Sequence, residues 1–391
     1  MNDKNKKGLI YYKGFFRKQL SLSEGIALLL SGVIGAGILA IPYAIAQVGL
    51  TIGLFYIFGL GTLMMGLHLM LGEVTVRTKQ ELQLGGLAKK YLGTTGWLVM
   101  SLMTYLLLFG VLVVYLIGIG ETLATLFGKT PFFWTIIAFT FLSLFVSTGL
   151  KQVKKAELFL ELGLLCIVVL IAVLGFKDIT IANLSYMKPA SLLVPYGIVL
   201  FAFHGSSVIP EIHTTLAKNK KQFKKSIVLG YLLIMFIYAL FAFVTVGVSG
   251  VNTTEIATIG LGQQLGLFVF WLSNIFAVIA MVTSFMMTGI SLKDSLMWDN
   301  NIPSPIATVL TLGIPLFIFV LGLRGFISAL NVVGGIFGSI EMFLILMIYW
   351  KAKQMGDLPV GKYKLHHTVL IGCLLVVALS IGTIFSVMSL I

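Results

Sequence analysis

Eleven stretches of apolar sequence, each about twenty residues or longer, recur along this chain, near 22–47, 50–76, 94–127, 132–149, 156–176, 191–217, 226–248, 265–292, 304–322, 325–349 and 368–390. Wound as an α-helix, each is long enough to cross the hydrocarbon core of a bilayer. That environment constrains the fold severely. With no water available, every backbone N–H and C=O must be satisfied internally, so only helices or a closed barrel can span. A barrel would show short segments of alternating polarity, and these runs are continuous. The chain is 58% hydrophobic and 10% charged, with a mean hydropathy of +1.04. The expectation is an all-α polytopic membrane protein with eleven spans. No loop between them is long enough for a soluble domain, and no phosphate-binding GxxxxGK[ST] motif occurs, which argues against ATP-driven pumps and receptors with ligand domains. The two cysteines, Cys166 and Cys373, fall inside apolar runs and read as small buried hydrophobes.

Charge sets the expected orientation. With the N-terminus in the cytoplasm and loops assigned alternately, 23 of the 27 Lys and Arg residues fall on the cytoplasmic side. Lys129, Lys177, Lys188 and Arg324 remain outside. This asymmetry is the positive-inside pattern. It predicts a multi-pass inner-membrane protein with residues 1–21 as a basic cytoplasmic tail, no cleaved signal peptide, and the C-terminus on the opposite side. The net charge of +13 is then a topology signal rather than a nucleic-acid footprint. Lys218 to Lys225 is a short loop that anchors on the cytoplasmic face of the lipid bilayer.

Two spans are interrupted. The first contains Ser31-Gly32-Val33-Ile34-Gly35-Ala36-Gly37-Ile38, although each Gly costs a helix interior about 1 kcal/mol relative to Ala. The sixth contains Phe203-His204-Gly205-Ser206-Ser207, with Pro210 beyond. These spans open two five-helix blocks of nearly equal length, 22–176 and 191–349, followed by an extra helix at 368–391. An odd number of spans per block makes the second block enter from the opposite side, so the repeats are inverted. Paired interruptions at matching places of inverted halves point to a transporter site at the midplane. Unwinding at Gly35-Ala36-Gly37 leaves a half-helix N-terminus whose free N–H groups suit a carboxylate. The half-helix ending near Phe203 offers free carbonyls that suit an ammonium group or a cation. Donors and acceptors in one site fit a zwitterion, and an amino acid is the economical choice.

Gly35-Ala36-Gly37-Ile38-Leu39-Ala40-Ile41-Pro42 resembles the first-helix signature of the aromatic and hydroxy amino acid permeases, in the amino acid/auxin permease group of the APC superfamily. Leu84-Gly85-Gly86-Leu87-Ala88-Lys89-Lys90-Tyr91-Leu92-Gly93, Gly118-Ile119-Gly120-Glu121-Thr122-Leu123, Phe201-Ala202-Phe203-His204-Gly205-Ser206, Val282-Thr283-Ser284-Phe285 and Arg324-Gly325-Phe326 match further landmarks of the tyrosine- and tryptophan-type permeases in order and spacing. The resemblance implies a leucine-transporter-like five-plus-five inverted repeat with broken helices one and six. It also implies cation-coupled import of an aromatic or other neutral amino acid. Substrate would meet Gly32, Gly35, Ala36, Gly37, Phe203, His204, Gly205 and Ser206. Sodium symporters of similar fold use carbonyls before the first break and an Ala-x-x-Thr/Ser-Ser pattern on span eight. The matching positions here are Ser31, Ile34, Ala280, Thr283 and Ser284.

Ionisable groups within spans need an explanation, since each costs at least about 2.5–3.5 kcal/mol at the bilayer centre. Glu73 and Glu81 lie at the cytoplasmic end of span two and read as reaching water. Glu121 reads as interfacial, His68 as a packed or interfacial residue, and Glu341 as paired or solvated at a cavity. His204, inside the second break, is placed to touch substrate or to titrate. Glu211 and His213 follow on the inner half-helix. Glu157 and Glu161 lie beside Lys154 and Lys155, where a local salt bridge is the default reading, and Glu161 is the deeper coupling candidate. Some proton-coupled relatives carry a lysine in mid-span five, whereas this chain has Leu162-Gly163-Leu164-Leu165, which shifts weight toward Na⁺ while leaving H⁺ open. No cofactor, and no metal other than a coupling Na⁺, is implied. The competing reading is a nutrient sensor or an intramembrane enzyme on the same fold. The former would normally add an output domain. The latter needs a nucleophile or metal set, which the spans do not show. Oligomeric state is not encoded in any recognisable pattern.

Overall fold

The computed structural model describes residues 22–148, 153–216, 220–299 and 302–389. Helix occupies every apolar window within them. The first window holds a bent pair, α1 (Leu22–Val33) and α2 (Gly37–Ala46), whose axes meet at 64°. Next come α3 (Leu50–Arg77), α4 (Leu84–Phe127), α5 (Pro131–Thr148) and α6 (Val153–Gly175). A short α7 (Ile181–Ser185) leads to a second interrupted pair, α8 (Pro195–Ala202) and α9 (Val208–Leu216). The chain continues through α10 (Lys220–Ser249), α11 (Ala257–Leu265), α12 (Leu267–Asp299) and α13 (Ser304–Val320). It ends with α14 (Phe326–Val332), a π-helical segment (Val333–Gly338), α15 (Ser339–Met355) and α16 (Thr368–Met388). Among the described residues, seven continuous helical stretches are long and apolar enough to cross a membrane, and the α1–α2 pair makes an eighth.

Gly93 explains why α4 starts ten residues before its apolar window. Its φ of 76° lies in the left-handed region, which glycine enters without steric cost. The chain turns there from a short helix carrying Lys89 and Lys90 into the span proper.

The opening pairs meet each other, with α2 against α8 and α1 against α9. Likewise α3 packs on α10, and α4 packs on α12. The run from α14 through α15 is the most enclosed span, wedged between α4, α3 and α8, whereas α5 and α16 lie at the rim. Many large apolar side chains point outward, including Phe55, Phe141, Val173, Phe236 and Val309, as expected where the solvent is lipid. Cys166 and Cys373 join them: both are exposed, not buried as the sequence reading had it. In a bilayer an apolar position on a span carries no requirement to face inward.

The end bearing the basic loops is tied down. Glu73 does not reach water; it is 2% exposed, because Arg77 one turn later binds its Oε1 at 2.7 Å and the Tyr349 hydroxyl donates to Oε2 at 3.4 Å. The Lys79 N–H and the Lys90 ammonium both bind Asp357, and the Leu358 N–H donates to Arg77 O at 3.0 Å.

Candidate functional site

The first break is three residues long. The Ile34 N–H closes α1 on Leu30 O at 2.8 Å. The Ile38 and Leu39 N–H groups then open α2 in tight turns, donating to Gly35 O at 3.3 Å and Ala36 O at 3.1 Å. Between these bonds, the N–H groups of Gly35, Ala36 and Gly37 and the carbonyls of Ser31 to Ile34 have no partner among the described residues. Helix α2 therefore offers donors, and α1 offers acceptors, across the same gap. At membrane depth such groups must meet water, an ion or a substrate.

The second break differs from the expectation in one respect. The carbonyls at the end of α8 are not free. The Tyr238 hydroxyl donates to Ala202 O at 2.8 Å, the Tyr231 hydroxyl to Phe203 O at 2.9 Å, and the His204 N–H to Phe201 O at 3.0 Å. The two tyrosines lie seven residues, hence two turns, apart on one face of α10. They also flank Phe203, Tyr231 stacked on it at 6.2 Å and Tyr238 tilted against it at 5.1 Å between ring centroids. His68 of α3 completes the set. Its Nδ1 lies 2.8 Å from Met64 O and 2.7 Å from the Tyr231 hydroxyl, and its Nε2 lies 3.3 Å from Ser206 Oγ. With Tyr231 donating to Phe203 O, Nδ1 is the protonated nitrogen and Nε2 accepts from Ser206. His68 is thus a packed residue, fully buried, that grips the second break.

Glycines bring the breaks into contact. A Cβ on Gly37 would sit 2.7 Å from Ala202 Cα, that on Gly205 would meet the Val33 side chain, and that on Gly32 would overlap Val208. Gly35 has more room, since only the Tyr115 hydroxyl of α4 lies near, at 3.2 Å from such a carbon. Gly32, Gly35, Ala36 and Gly37 are therefore gathered with Phe203 to Ser206 into one locus. Ala36, Phe203 and Ser206 are buried, and Gly35 and His204 are partly accessible.

His204 has a partner that the sequence reading did not assign. Its Nε2 lies 2.9 Å from Oε1 of Glu341 on α15, and Thr104 of α4 donates to the other carboxylate oxygen at 3.5 Å. Glu341 is 1% exposed. A lone carboxylate in an apolar span was the available signal; its partner, 137 residues away, could not be read from spacing.

The cation candidates are less connected. The Thr283 hydroxyl donates to Ala280 O of its own helix at 2.9 Å, and Ala280, Thr283 and Ser284 are half-buried on α12. Helix α12 packs mainly on α4, α11 and α6, while α1 packs on α10 and α9. The side chains of Glu157 and Glu161 lie outside the described residues. Glu121 sits apart from the breaks. It lines a cavity of about 520 Å³ at the far end of α4 from the basic loops, with Thr125, Pro131, Thr254, Glu255 and Gly325.

Comparison with known proteins agrees with this geometry. The model of the tryptophan/tyrosine permease family matches residues 18–388. The chain belongs to that family. Tyrosine-specific transport system 1 of Haemophilus influenzae is 28% identical, over 87% of this chain and 91% of its own length. Glutamine transporter 2 of Aliivibrio fischeri is 27% identical, over 90% of this permease-family chain and 98% of its own length. Among solved structures, MhsT in complex with L-phenylalanine aligns with a TM-score of 0.65 at 15% identity, covering 95% of this chain and all of that one. The Eremococcus coleocola manganese transporter aligns with a TM-score of 0.63 at 16% identity, covering 94% and 86%. The fold is that of the leucine-transporter-like proteins, all-helical with interrupted spans. The family is one of transporters rather than enzymes.

Proposed function

We propose that this protein is a secondary active amino acid transporter. It moves an aromatic or other neutral amino acid with Na⁺ or H⁺ across the inner membrane, by alternating access around the paired breaks. The observation that carries the reading is the meeting of those breaks. The α2 N-terminus presents N–H donors where α1 ends in open carbonyls, so one short gap accommodates both a carboxylate and an ammonium group. Phe203 and its flanking tyrosines form a buried aromatic cluster at the second break. The names of two relatives support an amino acid cargo, one tyrosine and the other glutamine. Because the α8 carbonyls are held by tyrosines, we assign the ammonium to the α1 carbonyls. The Ser31 and Ile34 carbonyls, with Ala280, Thr283 and Ser284, are the cation ligands of the Na⁺ version. Eleven crossings with a cytoplasmic N-terminus follow from the charge pattern and belong to the same proposal.

Proteoliposome uptake of labelled tyrosine, tryptophan and glutamine under imposed Na⁺ or H⁺ gradients tests this directly. Gly35→Leu fills the gap at the position with most room, so it is expected to abolish uptake while the protein still elutes as a monodisperse species. Unchanged uptake by Gly35→Leu, or no gradient-driven uptake of any amino acid by the native protein, would overturn the reading.

A further inference from the structure

We propose that His204 and Glu341 together form the site that carries a co-transported proton. This inference rests on the transporter reading above and names its coupling ion and the residues that hold it. The pair joins the centre of the second break to the most enclosed span of the protein. Glu341 is almost fully buried, whereas His204, within the second break, keeps 17% side-chain exposure. With neutral His204 donating its Nε2–H to Glu341 Oε1, the remaining lone pair is on Nδ1, which has no partner among the described residues. A proton arriving from water in the gap adds to Nδ1. No other bond forms or breaks, and release to the opposite side reverses the addition.

Charge gives the step its direction. Neutral imidazole beside a carboxylate leaves one net negative charge deep in the membrane, which is costly. Protonation makes the pair an imidazolium–carboxylate ion pair with no net charge. A zwitterionic amino acid adds none, so the loaded site is neutral as it moves and the empty site carries the charge back. Among the described residues, the ionisable groups around the pair are engaged elsewhere or lie further off. On α3, Glu73 is already neutralised by Arg77, and His68 spends both nitrogens on Tyr231, Met64 and Ser206. On α4, Tyr105 bonds Ser295 of α12, and Tyr115 lies by Gly35. Tyr196 of α8 bonds Ser339, and Tyr231 and Tyr238 of α10 hold carbonyls. Glu211 and His213 lie seven and nine residues beyond His204 in sequence, on α9, which runs toward the basic loops. Helix α15 carries its next ionisable groups, Tyr349 and Lys351, eight or more residues beyond Glu341. Helix α16 presents only Cys373 among titratable types.

The pair also sits where its state can be transmitted. Glu341 follows the π-helical segment Val333–Gly338 by three residues. Such segments are uncommon and concentrate at functional sites. This one lies backbone-to-backbone on α8: a Cβ on Gly334 would stand 2.7 Å from Phe201 N. Any change in the His204–Glu341 bond therefore acts on two elements already in direct contact.

The test uses the full chain in sodium-free proteoliposomes with a trapped pH dye. Adding tyrosine, tryptophan or glutamine outside is expected to acidify the lumen in step with uptake. An inward gradient of one pH unit should sustain about tenfold accumulation at one proton per substrate. His204→Gln keeps an amide donor for Glu341 but cannot titrate, and Glu341→Gln removes the charge. Both are expected to lose gradient-driven accumulation about tenfold, and Glu341→Gln, which lies outside the substrate locus, should still bind and exchange substrate. Uptake without acidification, or accumulation by either variant that still follows the pH gradient as the native protein does, overturns the proposal. If one variant fails to fold, the other decides whether the pair is the site, and the dye measurement on the native protein decides whether a proton moves at all. Sodium-driven uptake with no proton movement would refute the proton site and leave the transporter standing, whereas no uptake at all would refute both.

Discussion

Gly37 and Gly35 are two residues apart in the same break, and the structure assigns them different tolerances. A methyl group on Gly37 would lie 2.7 and 2.8 Å from Cα and Cβ of Ala202 and 3.3 Å from Ala202 N. Those atoms belong to the last residue of α8, whose carbonyl is fixed by Tyr238, so they cannot withdraw as a flexible side chain would. Inserting a methyl into such a contact costs about 1–3 kcal/mol. Against this, Gly→Ala in a helix returns at most about 1 kcal/mol, and less at the first helical residue. The net expectation for Gly37→Ala is a loss of about 1–2 kcal/mol. At Gly35 the methyl meets only the Tyr115 hydroxyl, at 3.2 Å, and a shift of a few tenths of an ångström relieves the contact. Gly35→Ala should therefore leave stability within about 0.5 kcal/mol and act instead on the gap itself, weakening substrate binding. The assay is the fraction of monodisperse protein surviving a temperature series in detergent, read beside a substrate-binding isotherm. Gly37→Ala should lose stability, and Gly35→Ala affinity. If Gly37→Ala is as heat-resistant as the native protein, or if Gly35→Ala is the less stable of the two, the close approach of the breaks is wrong.

Two further outcomes follow from hydrogen bonds away from that contact. Tyr231→Phe keeps the ring beside Phe203 but strips the hydroxyl from Phe203 O and His68 Nδ1. Intramembrane bonds average about 0.6 kcal/mol with a maximum near 1.7, so a loss of about 1–2 kcal/mol in an unfolding titration is expected, and no loss would refute the capping role. Asp357 has its carboxyl held below the usual 3.8, first by the Lys79 N–H and then by Lys90. A depressed folded-state pKa means this tie is intact above about pH 4 and fails as pH falls through the lowered value. Proteolysis of the 356–364 loop should accordingly be flat from pH 5 to 8, and a change within that window would contradict the assignment.

Much of the fold was legible because a bilayer leaves few choices. Runs of apolar residues had to be helices, and glycines at 32, 35 and 37 stood out as poor helix formers in a place where breaks are expensive. Their pairing with His204 to Ser207 was visible because the blocks have matching lengths. Partners across the bundle were not visible. Glu341 could be flagged by its cost but not joined to His204, since nothing local relates the third residue of α15 to a break on another span. Glu73 misled for a similar reason: its place near a helix end indicated water, yet Arg77 and Tyr349 bury it. Free carbonyls after Phe203 were inferred from helix-end chemistry alone, which cannot foresee tyrosines on α10. The cysteines failed because apolar sequence predicts insertion into the membrane, not which face meets lipid.

The two breaks are consequently not equivalent, although the repeat pattern suggests they should be. The second has most of its acceptors bound by side chains: Tyr231 and Tyr238 offset much of the cost of interrupting the span, and Ser206 is anchored through His68. It can hold its shape without a ligand. The first shows no such side-chain caps among the described residues, and its open N–H groups and carbonyls face the gap. An occupant there stabilises the interrupted form of the α1–α2 pair directly, through groups that would otherwise favour closing the helix. In the proposed transporter, binding at the first break is therefore the step able to bias the bundle between states. The second break, fastened to α10 at Tyr231 and Tyr238 and to α15 at Glu341, is the element through which that bias reaches the rest of the protein. Under the proposed alternating access, this arrangement makes the cycle depend on cargo, because the break open to a ligand is the one without side-chain caps among the described residues.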